Sequence, residues 1–333
     1  MTRFERLQLF INTHFSEQQC TLAAITADAS FRRYYRLNCA NNSFIVMDSD
    51  PLKVNNAPYI SLNSVFTQQG FLLPAIIASD EQQGFFILSD LGSTHLADML
   101  DDEHRTEYYQ QLIKLSVQWA KTPAAAAMQA YDKKFIAVEL GIFSQWLMHD
   151  FIDCELTAEQ QMLWQTSCDL LSNTMLAQPS VTMHRDYHSR NIMRCNQQWA
   201  IIDYQDAVRG PLCYDLVSLL RDCYFKLPES ELTHLVKYGY DEFNRQGLIA
   251  NVTFNEFKYW FDLTGLQRHL KAAGIFCRLY LRDGKKGYLA NILPTLAYIV
   301  EVAANYSELQ ALGLFIQNTI VPKVVERLAK ERT

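Results

Sequence analysis

No glycine precedes Gly70 in this 333-residue chain, so a glycine-rich phosphate loop is excluded from its first part. None of the eight cysteines (Cys20, Cys39, Cys154, Cys168, Cys195, Cys213, Cys223, Cys277) forms a CxxC pair, which argues against a zinc ribbon or a redox dithiol. No run of about 18 apolar residues exists, so no membrane-spanning helix is expected. The opening segment MTRFERLQLFINTHF carries charges and lacks the apolar core of a signal peptide. These absences together predict a cytoplasmic protein whose thiols are free and pack as small core hydrophobes. A basic excess is missing too: 30 Lys and Arg against 36 Asp and Glu give a net charge of −6, a poor basis for nucleic-acid binding. Neither nucleic acid, membrane nor an obligate protein partner is expected. Beyond Ala124–Ala127 there is no low-complexity tract, and there is no repeat.

What is present is enough apolar material for a core, 49% hydrophobic against 20% charged residues, in a length that suits two compact units. Phe4, Leu7, Phe10 and Ile11 recur at helical spacing over residues 3–15. Segments 20–26, 31–38 and 43–48 read as strands, with Asn41-Asn42 as a hairpin turn between the last two. A helix over 56–69 stops at Gly70, and Phe71–Ala78 and Phe85–Ser89 read as further strands. After Gly92, long amphipathic helices are expected at 94–120, 132–150 and 157–177, then a β-like island at 192–203 and helices again from about 212. A small sheet lobe followed by a large helical lobe, joined near Ser89–Gly92, is the simplest architecture.

The densest polar cluster is Met183-His184-Arg185-Asp186-Tyr187-His188-Ser189-Arg190-Asn191. It stands directly before two apolar stretches, Ile192–Cys195 and Trp199–Ile202, joined by the turn Asn196-Gln197-Gln198. A tight hairpin returns the chain to its start, so Asp203 at its end is expected near Asn191, with Asp186 on the same loop. Three converging oxygen donors suit Mg²⁺, which prefers hard ligands and keeps waters and phosphate oxygens in its shell. Phosphoryl transfer uses such parts: one carboxylate orients the attacking hydroxyl and takes its proton, while an Asn and another Asp hold the metal on the phosphates.

Three blocks, His184-Arg185-Asp186…Asn191, Ile202-Asp203-Tyr204-Gln205-Asp206-Ala207 and Gly210-Pro211…Tyr214-Asp215-Leu216, resemble the HxDxxxxN, IDxxDA and GPxxYDL motifs of the aminoglycoside phosphotransferase/choline kinase family. The resemblance implies an α+β, two-lobed protein-kinase-like fold. Residues 1–91 would form a small antiparallel nucleotide-binding lobe, and residues 92–333 a larger, mostly helical lobe with the catalytic loop and substrate site. It implies ATP and Mg²⁺ as cofactors, Asp186 as catalytic base and Asn191 and Asp203 as metal ligands. It also implies that Asp215, at a helix start, braces the catalytic loop through its backbone. Further blocks resemble the cell-wall amino-sugar kinases over roughly residues 1–290: Asp28–Arg36, Val46-Met47-Asp48, Leu88–Gly92, Arg209-Gly210-Pro211 through Leu219-Leu220-Arg221-Asp222, and Gly265–Lys271. Those enzymes phosphorylate the anomeric hydroxyl of N-acetylmuramate and N-acetylglucosamine in peptidoglycan recycling.

The chain departs from ordinary kinases in its first lobe. The phosphate-loop role falls to Asp28–Arg33, with Ser30 and Phe31 on the loop and Arg32 and Arg33 supplying charge. Strand alternation points only one of the two arginines at the nucleotide and leaves open which. Met47 stands where the strand lysine is expected, and helix 56–69 contains no acid, so both halves of the usual ion pair are missing. Either Arg32 or Arg33 substitutes for the lysine, or the chain is a pseudokinase; the intact Asp186, Asn191 and Asp203 favour an active enzyme. The resemblance also implies that Ser89, Asp90 and Leu91 form the hinge where adenine binds through backbone groups.

Substrate contacts are sought at His188, Asp206, Arg209 and Arg268, each with a plain alternative: a surface histidine, a turn cap, an Arg209–Asp206 salt bridge, and a solvated helix face shared by Arg268 and Lys271. Arg209, Arg268 and Lys271 lean toward an anionic substrate such as N-acetylmuramate, whereas an aminoglycoside or choline would call for an acidic pocket. His184 is read as a structural residue under the loop. A metallo-hydrolase built on His184-x-Asp186-x-His188 lacks a second histidine cluster.

Overall fold

The computed structural model describes residues 1–15, 19–25, 31–40, 42–101 and 103–331. Helix α1 (Arg3–Phe15) buries Leu7, Phe10 and Ile11, whereas Phe4, expected on the same face, stays exposed. Strands β1 (Cys20–Ile25), β2 (Arg33–Cys39) and β3 (Asn42–Asp48) follow, then α2 (Ala57–Gln68), β4 (Ile76–Asp80) and β5 (Phe85–Ser89). The strands form one antiparallel sheet in the order β1-β2-β3-β5-β4. Leu37, Val46, Phe85 and Ile87 pack against the buried face of α1, each worth about 1.5–3 kcal/mol when enclosed. The turn expected at Asn41-Asn42 lies in part outside the described residues, at Asn41; Asn42 opens β3. The strand expected over Phe71–Ala78 forms only from Ile76. Pro74 has no N–H to give a ladder, and Leu72 bridges Ala200 instead.

Free thiols were expected throughout, and here the structure corrects the sequence reading. Cys20 and Cys39 face each other in the β1–β2 register, 4.2 Å apart at Cα, and form a disulfide; six cysteines remain free. Cross-strand pairing, which local spacing does not reveal, brings the two together.

The helix expected over 94–120 begins late. A 3₁₀ turn (Leu96–Met99) precedes α3 (Arg105–Ala120), because residues 94 and 95 extend along a hairpin: His95 bridges Met193 and the Arg194 N–H reaches Thr94 O. Helix α4 (Lys133–Ile142), capped by Asp132, runs into a π-helical stretch (Phe143–Phe151). Helix α5 (Ala158–Leu176) starts on a Thr157–Gln160 capping box. Four short strands follow: β6 (Ser180–Met183), β7 (Ile192–Cys195), β8 (Gln198–Ile201) and β9 (Val208–Pro211); β6 and β9 were not expected from the pattern. The rest is helical: α6 (Tyr214–Leu220), α7 (Glu229–Arg245), α8 (Phe254–Asp283), α9 (Ile292–Ala303), α10 (Gln310–Phe315) and α11 (Val321–Glu331). Leu266, Leu270 and Cys277 of α8 lie in one core with Leu296 and Ile299 of α9.

The chain divides into two compact units. One comprises Met1–Met99, Ala125–Met128 and Arg190–Asp206; the other comprises Leu100–Ala124, Gln129–Ser189 and Ala207–Thr333. Among the described residues no helix is long and apolar enough to cross a membrane.

Candidate active site

In the second unit, β6 delivers the chain to the loop His184–Ser189. It pairs antiparallel with β9, Met183 opposite Val208. Gly210 makes this approach possible: a Cβ there would lie 2.7 Å from Met183 Sδ and 2.9 Å from Tyr131 Cβ. The Arg209 guanidinium donates to Ser180 O at 2.5 Å and to Thr182 Oγ1 at 3.2 Å, so its charge ties β9 to β6. His184 is buried against Trp119 and Tyr187, with ring centres at 5.4 and 6.1 Å. Asp215, in the first turn of α6, accepts the backbone N–H of His184 at 2.7 Å and of Arg185 at 3.0 Å. Burial pushes the Asp215 carboxyl up, against the pull of His184 and these backbone donors. Arg185 adopts φ +77°, a conformation costing a non-glycine residue about 1–3 kcal/mol. The Asp215 bond and a Ser218 hydroxyl donating to Arg185 O at 3.0 Å offset that strain.

Asp186 is partly buried at the centre of the loop. Burial works against its charge, but Lys271, His188, Arg185 and Arg268 hold its carboxyl well below the usual carboxylate range. Lys271 and Arg268 come from one face of α8. That face points inward, not to solvent: Lys271 is buried, and the Arg268 guanidinium lies 4.8 Å from the centre of the Tyr214 ring. The His188 ring meets Tyr224 edge-on at 5.7 Å.

Beneath this loop Glu139 is a hub. Its carboxylate takes the Arg185 guanidinium and the Lys271 ammonium at 2.9 Å each, the Tyr131 hydroxyl at 2.6 Å and the Gln267 amide at 3.0 Å. Burial opposes the Glu139 charge, yet Lys271 and Arg185 carry its pKa down to about 2. The buried charges are therefore compensated inside the cluster.

In the first unit, β7 and β8 form the expected hairpin, with Ile192 opposite Ile201. Asn196 and Gln197 at the turn have φ +46° and +63°, the left-handed pair that a two-residue hairpin needs. The Ile202 N–H donates to Asn191 O at 3.0 Å, so the residue before Asp203 is bonded to Asn191. Asp203 is exposed, at φ +64°, and Oδ1 of its carboxylate accepts from Gln205 Nε2 at 2.7 Å. Asp206 ends the following 3₁₀ turn and is exposed.

Ser30 lies outside the described residues, and Phe31 is exposed. Of the two arginines, Arg32 turns inward, buried with its guanidinium 5.9 Å from the Tyr59 ring centre; Arg33 is exposed. Met47 is buried. At the expected hinge, the Ser89 hydroxyl accepts the Ala75 N–H at 2.8 Å, and the Asp90 carboxylate receives Arg36 at 2.8 Å and the Gly92 N–H at 2.9 Å. Leu91 is buried with Met193 and Ala200.

A profile of the phosphotransferase enzyme family matches residues 21–248. The chain belongs to that family. This phosphotransferase is 37% identical to the N-acetylmuramate/N-acetylglucosamine kinase of Neisseria meningitidis over 317 residues, 94% of each chain. It is 33% identical to the protein of the same name from Pseudomonas aeruginosa over 307 residues, 92% of this chain and 91% of that one. Among solved structures, choline kinase LicA from Streptococcus pneumoniae superposes with a TM-score of 0.63 at 10% identity, covering 92% of this chain and all 100% of that one. The GDP complex of aminoglycoside 2′-phosphotransferase-IIIa gives 0.61 at 15% identity, covering 92% and 99%. At those identities the structures show the fold alone, and it is the α+β, two-lobed protein-kinase-like fold that the motifs implied.

For a phosphotransferase, Asn191 and Asp203 supply one neutral and one charged hard oxygen, a set that suits a divalent cation taking the rest of its shell from phosphates and water. Among the described residues no group of three or more His, Cys, Asp or Glu side chains is placed to hold a metal. Sequence reasoning missed Glu139. Glu139 did carry a signal: it is the one acid in the apolar run Phe135–Leu140, and a carboxylate buried there needs cations around it.

Proposed function

We propose that this phosphotransferase moves the γ-phosphate of ATP to the anomeric hydroxyl of N-acetylmuramate and N-acetylglucosamine, in the cytoplasm and in the service of peptidoglycan recycling. The name shared by the relatives described above supports the acceptor. The observation that carries the reading is Asp186, a carboxylate kept ionised by Lys271, His188, Arg185 and Arg268.

Residues 1–91 bind the nucleotide and residues 92–333 supply catalytic loop and acceptor site in this reading. Arg32, the inward-facing arginine, meets the phosphate charge in place of the absent strand lysine, with Ser30, Phe31 and Arg33 alongside. Ser89, Asp90 and Leu91 offer backbone groups and an apolar wall to the base. Mg²⁺ held by Asn191 and Asp203 would draw charge off the phosphates. His188 and Arg268 flank the acceptor, while Arg209 serves as a strand clamp. Asp186 orients the sugar hydroxyl; as its oxygen bonds to the γ-phosphorus and the bond to ADP breaks, the proton passes to the carboxylate. Because that carboxylate is a weak base, the transfer comes late, once bond formation has made the hydroxyl acidic.

A ³¹P NMR assay with ATP, Mg²⁺ and each N-acetylated sugar tests this. The expected product shows a phosphorus signal coupled to the anomeric proton. ATP consumption with a different acceptor only, or coupling to another ring proton, would refute the assignment.

A further inference from the structure

Helix α2 lacks the acid that would pair with a strand lysine, and it has an inward face of another kind. Tyr59, Asn63 and Phe66 are buried on it, spaced four and three apart so that they share one side. All three meet Tyr204. The Tyr59 ring stacks on it at 5.2 Å and 20°, and the Phe66 ring meets it edge-on at 6.1 Å. Asn63 Nδ2 donates to the Tyr204 oxygen at 2.5 Å and to Pro74 O at 2.9 Å. Tyr204 is wholly enclosed.

Tyr204 directly follows Asp203. That residue is exposed, sits at φ +64°, and leads straight into the 3₁₀ turn Tyr204–Asp206. An exposed carboxylate in a left-handed conformation keeps its aim only if its neighbours fix the backbone. The neighbour on one side, Ile202, is fixed by its bond to Asn191. The neighbour on the other is Tyr204, gripped by α2.

We propose that Asn63 and Tyr59 of α2, acting through Tyr204, are positioning residues that aim Asp203 at the nucleotide-bound metal. The proposal rests on the reading of Asp203 as a metal ligand. It gives α2 a route to the phosphates that needs no ion pair. It also explains why loss of both members of that pair is compatible with an enzyme.

Calorimetric titration of ADP with and without Mg²⁺ tests it in wild type, Tyr204→Phe and Asn63→Leu. Tyr204→Phe keeps the stacked ring and removes only the hydroxyl. The expected result is that the gain in ADP affinity on adding Mg²⁺ falls by about tenfold in both variants, the scale typical of residues that orient metal ligands. Affinity without metal and KM for the sugar should stay within about twofold. If both variants lower the Tm while the Mg²⁺-dependent gain is unchanged, the trio is packing alone and the proposal is overturned. Should Tyr204→Phe not fold, Tyr59→Leu removes the ring stacked on Tyr204 and leaves the Asn63 bond to its hydroxyl, with the same two outcomes. The reading beneath is tested separately: if Asp203→Ala leaves the Mg²⁺-dependent gain of the otherwise wild-type protein intact, Asp203 is not the ligand, whatever the α2 variants do.

Discussion

The carboxylate of Asp222 receives both the backbone N–H and the hydroxyl of Ser189, at 3.0 and 2.5 Å, where both residues are buried. Its other oxygen takes the Tyr224 N–H at 2.9 Å. Asp222 therefore closes the far end of the loop whose near end Asp215 holds. Asp222→Ala leaves a buried N–H and a buried hydroxyl without their acceptor and is expected to cost about 2–4 kcal/mol. Urea denaturation measures it; a loss below about 0.5 kcal/mol would mean that water or another group replaces the carboxylate.

Much of this arrangement was legible because it is local. The Asn191–Asp203 hairpin follows from two apolar stretches and a polar turn, α1 from helical periodicity and β5 from a short apolar run. Encounters set by tertiary packing were not legible. Strand alternation required one of Arg32 and Arg33 to face inward, but which one depends on where β2 begins and what α2 places beside it. Arg185 and Glu139 are 46 residues apart, and no spacing rule joins them. The solvated reading of Lys271 failed for the same reason: helical spacing identifies a shared face but not the Glu139 buried opposite it. The strands β6 and β9 are four residues each, too short for alternation to stand out.

Asp186→Asn is expected to reduce turnover by about 10²–10⁴-fold, because the amide cannot take the hydroxyl proton. Mg·ATP affinity should remain close to wild type, since Asn191 and Asp203 are untouched. Steady-state kinetics together with calorimetry checks both halves. Near-normal turnover would remove Asp186 from the role of base.

Glu139 links stability to pH. Its pKa in the folded chain is about 2, below the ordinary carboxylate value, so its stabilising contribution is complete above about pH 4.5 and disappears as pH falls through about 2. Glu139→Gln leaves Lys271 and Arg185 without their shared counter-charge. The expected cost at pH 7 is about 3–5 kcal/mol. The sign is testable in thermal melts: the gap between wild type and variant should be widest at neutral pH and should narrow between about pH 4.5 and pH 2. A gap that widens on acidification would contradict the depressed pKa.

Cys20 and Cys39 connect the outer end of β1 to β2, closing a loop with a sequence separation of 19. In the chain-entropy picture, cross-linking such a loop stabilises the fold by about 3 kcal/mol. Among the described residues strand β1 is an edge strand paired with β2 alone, so the bridge reinforces the sheet where pairing is one-sided. Alkylation of unfolded, unreduced protein should therefore label six cysteines, and alkylation after reduction all eight. Reduction should also lower the Tm of wild type but not that of Cys20→Ser, because the serine variant has no bridge to lose. Whether a disulfide persists depends on the redox poise around it, so protein alkylated inside intact cells is the sharper sample. Six labels there would mean that the pair is oxidised in the cell; eight would mean that the bridge forms only after lysis.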